Sequence, residues 1–97
     1  LSVLKWLPEG GDEKPPKRSV FGTFIMVYFE NKRSHAVKLY WIDYNGQLKF
    51  YADIAAGAKR EQTSYSGAVW RIYDEQDQSL GYFVTTQKSS AAVIQKE

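Results

Sequence analysis

The stretch "AVKLYWIDYNGQLKFY", residues 36–51, decides the fold. Two runs of β-branched and aromatic residues, "AVKLYWI" and "QLKFY", flank "DYNG", and an asparagine-glycine pair between such runs is a strong short-range hairpin signal. Neither run is long enough for a helix that buries its own face, so both read as strands.

Working outward, the same texture recurs on both sides. "VFGTFIMVYFE" (residues 20–30) reads as the strand before the hairpin, separated from it by the polar break "NKRSH". After it, "DIAAGAKRE" holds a glycine-centred turn into "REQTSY", and "SG" leads into "AVWRIYD", read as a half-buried strand. "EQDQS" is a further turn, "LGYFVTT" a strand, and "AAVIQ" the last one. Apolar runs of five to ten residues broken by turn clusters predict an all-β domain, a sandwich or a barrel, without a helix.

The N-terminal part differs. "PEGGDEKPPKRS" (residues 8–19) packs three prolines and two glycines among charges, and reads as a flexible or extended linker. The preceding "LSVLKWL" fits either the tail of an earlier element or an edge strand docking on the body. The expected division is therefore an N-terminal segment and linker over residues 1–19 and a sandwich over residues 20–97. A chain of 97 residues is long enough for one core. It starts at Leu1 without a methionine, and reads as an excerpt of a longer protein.

Composition narrows the function classes. Thirteen basic and eleven acidic residues leave a formal charge of only +2, too small for the field that attracts nucleic acid, so no nucleic-acid partner is expected. No apolar run approaches the roughly 20 residues of a membrane span. Cysteine is absent, which removes thiolate nucleophiles and cysteine zinc sites and leaves the compartment unconstrained. The single histidine, His35, lies in a polar break and reads as a surface residue, not a ligand or base. The acids Asp43, Asp53, Asp74, Glu75 and Asp77 fall in predicted loops, and "DEQDQS" lacks the glycine and closing glutamate of a calcium loop. With no nucleophile and base, no acid and base pair and no glycine-rich phosphate loop, neither an enzyme nor a cofactor is expected. What stands out is the aromatic content of 15%, with seven tyrosines and three tryptophans. Such side chains fill cores, and they also grip partners because an apolar face carries a polar handle.

From Phe29 to Trp70 the chain resembles, without gaps, the β domain of the von Hippel-Lindau family. The matching positions are Phe29 and Asn31 in "FENKRS", Trp41 and Gly46 in "YWIDYNGQ", Tyr51, Gly57, Arg60, then Ser64, Tyr65, Gly67 and Trp70 in "TSYSGAVW", with Asp74 beyond. The resemblance implies a seven-stranded antiparallel β sandwich. It also implies that an extended peptide is bound and its 4-hydroxyproline read by a tyrosine, a serine, a histidine and a tryptophan. Those positions here are Tyr51, Ser64, Ala68 and Trp70, with Tyr65 beside them. Ala68 replaces the histidine, and a methyl group makes no hydrogen bond to a hydroxyl. Thr63 points to the opposite strand face and is a poor substitute. The helical segment through which the family joins its ubiquitin ligase has no visible counterpart.

The sequence thus implies a non-catalytic peptide- or protein-recognition module with a degenerate hydroxyproline pocket, whose partner is an extended, proline-containing chain. The alternative is a structural accessory domain on a larger enzyme such as a hydrolase, or on a surface protein, in which Trp70 and Tyr65 simply pack the core. Sugar binding on exposed aromatics is a third reading.

Overall fold

A computed structural model describes all of residues 1–97. The chain forms nine strands and no helix: β1 (Ser2–Val3), β2 (Leu7–Pro8), β3 (Phe24–Asn31), β4 (Val37–Ile42), β5 (Leu48–Ile54), β6 (Lys59–Tyr65), β7 (Val69–Tyr73), β8 (Ser79–Val84) and β9 (Ser90–Ile94). They make two sheets, ordered β1-β9-β3-β6 and β2-β8-β7-β4-β5. The seven long strands are the seven expected, and two-residue strands near the N-terminus add one edge to each sheet.

Between the sheets, the inward residues of β3 (Ile25, Val27, Phe29) meet Val37, Leu39, Trp70, Ile72 and Phe83 of the other layer, with Ile54, Ala92 and Ile94 closing the core. Phe29 stands at the centre, edge-on to both Trp70 and Phe83. Alternation along β3 is strict because one face is buried and the other is not. The sandwich is antiparallel except at β9, which runs parallel to β1 and β3. β3 and β9 are joined by the whole intervening sandwich, a connection long enough to let parallel strands meet.

Of the two readings of "LSVLKWL", the edge strand is the one seen. Leu4 and Leu7 are buried, the Leu4 amide donates to the Ala91 carbonyl, and Trp6 lies 5.0 Å from Phe83 between ring centres. Glu9 then pairs with Arg71 on the outer face of the second sheet.

The hairpin of residues 36–51 is present, but its loop has three residues. The Asp43 amide donates to the Gln47 carbonyl, the Gly46 amide to the Asp43 carbonyl, and Gly46 has φ of 82°. This is a type I turn closed by a left-handed residue, so the glycine is used for its freedom at positive φ. The carboxylate of Asp43 accepts from the amides of Asn45 and Gln47. The turn after β7 repeats the arrangement, with Asp74 accepting from Gln76 and Gln78 and Asp77 taking the left-handed position. These carboxylates are spent on their own turns. Asp53, expected in a loop, lies within β5.

Candidate functional site

The two sheets leave one side of the sandwich open, between β5 and β6. Each of these strands pairs on one side only, β5 with β4 and β6 with β3, so each has a free edge there. The inner face of β6 is polar. The register sets Ser64, Gln62 and Arg60 opposite the core residues Ile25, Val27 and Phe29, and Arg60 donates to Gln62.

At one end of this opening lies a cleft of about 140 Å³, lined by Ser19, Val20, Trp41, Tyr44, Tyr51, Thr63, Ser64, Tyr65, Ala68 and Trp70. All five residues singled out in the sequence therefore face one concavity. Tyr51 reaches it through a β-bulge. Leu39 pairs with Ala52 and Tyr40 with Phe50, leaving Tyr51 as the extra residue. Bulges re-aim side chains, and this one sets Tyr51 beside Trp70 (ring centres 4.9 Å apart, 86°) and Trp41 (6.4 Å) on the inner side of the sheet.

Trp70 forms the floor and is fully buried, more so than the half-buried strand expected. A buried indole needs an acceptor, and Trp70 Nε1 donates to Ser64 Oγ at 3.1 Å. The Ser64 hydroxyl approaches only the Tyr65 carbonyl, at 3.4 Å, beyond the ordinary range for such a bond. Its proton is thus free for a better acceptor. The Ala68 side chain offers no hydrogen bond, and the Ser19 hydroxyl is committed, donating to the Ile42 carbonyl at 2.5 Å and accepting from the Val69 amide at 2.7 Å.

The rim is held by a strap, residues 19–23. The expected first strand starts only at Phe24, because residues 19–23 are fastened to the turn between β6 and β7. The Val20 amide donates to the Gly67 carbonyl, the Thr23 amide to Ser66 Oγ, and the Ser66 amide to the Thr23 carbonyl. Gly22 lies so close to Ser66 that a methyl group there would overlap its carbonyl and hydroxyl oxygens. From the other side, Thr85 Oγ1 donates to the Tyr65 carbonyl and accepts from the Ala68 amide.

Tyr51 and Tyr65 are 42% and 50% exposed. Tyr65 therefore does not pack the core, as the accessory-domain reading had it; it is a cleft wall. Thr63 is exposed on the other face of β6, as alternation predicts, and borders the cleft all the same. Trp41, Tyr44, Ser19 and Val20 were missed. Trp41 follows the inward alternation of Val37 and Leu39 along β4, whereas Tyr44 depends on the three-residue turn and Ser19 and Val20 on the strap, neither of which periodicity reveals. His35 is exposed, 4.0 Å from Glu75.

The displaced pKa values lie mainly on other faces. On the outer face of the second sheet, hydrogen bonds from Ser79 and then Arg71 hold the Glu9 carboxyl below 4.5. Burial pushes the phenols of Tyr73 and Tyr82, which flank Arg71, above 10.0. Near the C-terminus the Glu97 carboxyl is lowered to about 2 by hydrogen bonds from Ser34.

No helix is long and apolar enough to cross a membrane. No curated protein matches the chain. The family model described as the VHL beta domain matches residues 18–87, from the start of the strap to just beyond β8. With that match spanning well over half of its length, and with two all-β sheets packed as a sandwich, the chain belongs to the VHL β-domain family.

Proposed function

We propose that this VHL β-domain module is a non-catalytic recognition domain that takes an extended segment of a protein partner, with a proline ring seated against Trp70, Tyr51 and Ser64. The observation that carries the reading is the meeting of Tyr51, Ser64, Tyr65, Ala68 and Trp70 in one cleft between two unpaired strand edges. A volume of about 140 Å³ suits one small ring, well below the roughly 300–1,000 Å³ of pockets that enclose whole small ligands. Free strand edges offer rows of unpaired backbone groups, which favour an extended chain over a compact ligand. Aromatic walls suit a pyrrolidine ring.

With Ala68 in place of a hydrogen-bonding side chain, Ser64 alone remains of the two side chains that the family resemblance assigns to the ring hydroxyl. The module therefore accepts proline and does not discriminate for 4-hydroxyproline.

A second reading has one specific observation in its favour: the Ser64 hydroxyl oxygen accepts the buried Trp70 indole N–H in the core, a structural reason for both in an accessory domain. Arrays of blocked proline and hydroxyproline peptides separate the two. Trp70→Ala would remove a core side chain, so the clean probe is Tyr51→Ala at the half-exposed wall. Recognition predicts capture of proline peptides that Tyr51→Ala weakens about tenfold. Absence of capture by the folded domain, or indifference to Tyr51→Ala, leaves the accessory role.

A further inference from the structure

The strap and the first residue of β3 carry two side chains that the cleft alone does not explain. Phe21 is 84% exposed and Phe24 60%, although the backbone beside them is fastened at Val20 and Thr23 to the turn at Ser66 and Gly67. A loose loop can fold exposed phenylalanines inward; a fastened strap holds them out. Each is set against a wall of the cleft. Phe21 stacks on Tyr44, ring centres 4.2 Å apart and 24° between planes, and Phe24 stands edge-on to Tyr65 at 6.1 Å. Tyr44 follows β4 of one sheet and Tyr65 ends β6 of the other, so the two aromatic pairs extend the cleft on both sides.

Resting on the peptide-recognition reading above, we infer that Phe21 and Phe24 are specificity-determining residues that read the neighbours of the seated ring. The partner is an extended chain with bulky apolar residues flanking its proline. None of the ten residues lining the cleft is charged, so nothing in it rewards a charged flank. An extended chain advances about 3.3 Å per residue, which brings positions within two or three residues of the ring onto the aromatic pairs. Rigid aromatic anchors lose little freedom on binding.

The test uses blocked heptapeptides with a central proline and flanks of leucine, serine, glutamate or lysine, titrated calorimetrically into the whole chain at low and high salt. Leucine flanks should bind about tenfold more tightly than serine flanks, with little effect of salt. Phe21→Ala and Phe24→Ala should each cut that preference to about threefold, and together erase it, while leaving serine-flanked binding intact. Phe50→Ala, which removes a comparably exposed ring beside Tyr40, should change nothing. Equal binding of all flanks, or an equal loss from Phe50→Ala, overturns the inference; if Tyr51→Ala still weakens proline capture about tenfold in that case, the cleft reading stands. Binding by none of the peptides overturns both.

Discussion

Removing the Ser64 hydroxyl tests whether the cleft floor is built as described. In Ser64→Ala the Trp70 Nε1–H loses its acceptor, and both side chains are buried, Trp70 at 2% and Ser64 at 4% exposure. The neighbouring Phe29 and Tyr51 present ring faces and edges to the indole. Leaving a buried donor unpaired costs about 1 to 3 kcal/mol. For a domain of this size each kcal/mol lowers Tm by roughly 4 to 8 °C, so a drop of about 8 to 16 °C is expected from a 2 kcal/mol loss. Trp70→Phe removes the N–H, so in that background Ser64→Ala should cost no more than about 0.5 kcal/mol. Urea denaturation of the four proteins gives the coupling directly, expected near 2 kcal/mol. A Ser64→Ala that costs nothing, or costs the same with and without the indole N–H, would mean that the indole is satisfied elsewhere and that Ser64 is not its partner.

Three further outcomes follow from the same geometry. Ala68→His supplies a second partner for a ring hydroxyl, and should create about a tenfold preference for hydroxyproline over proline peptides that the unchanged chain lacks, read by competition binding. Asn31→Ala should destabilise by about 2 to 4 kcal/mol in urea denaturation, because the buried Asn31 amide donates to the carbonyls of His35, Ile54 and Ala55 and its oxygen accepts from the Arg33 amide. Glu9→Gln should flatten the acid limb of stability. The folded-state pKa of Glu9 is depressed below 4.5, so its contribution is present above that value and is lost as the pH falls below it. The measurement is stability from pH 6 to pH 2 for both proteins.

The hairpin was legible because two β-rich runs and an asparagine-glycine turn agree locally, and the remaining long strands followed from turn spacing. What was not legible depended on contacts distant in sequence. β1 and β2 are two residues each, too short for any period to register, and they exist because Leu4, Trp6 and Leu7 dock on β8 and β9. The bulge at Tyr51 leaves no trace in "LKFYADI", since aromatic residues occupy both sides of the slip. Strict alternation would set Tyr51 opposite to Ala52, away from Trp70. In "SVFGT" the apolar residues read as the start of a strand, whereas Ser19 and Gly22 dock the segment on Ile42, Val69 and Ser66. The site residues Tyr51, Ser64, Ala68 and Trp70 came from the resemblance, position by position. Their meeting in one cleft required the bulge and the strap.

The most direct test of peptide recognition at this cleft is an amide and indole chemical-shift titration of the ¹⁵N-labelled chain with a leucine-flanked proline peptide. The account predicts saturable shifts at Tyr51, at residues 63–68 and at the Trp70 indole N–H, with Trp6 unmoved. Shifts confined to the outer sheet face around Tyr40, Phe50 and Tyr73, or no shifts at millimolar peptide, would contradict it.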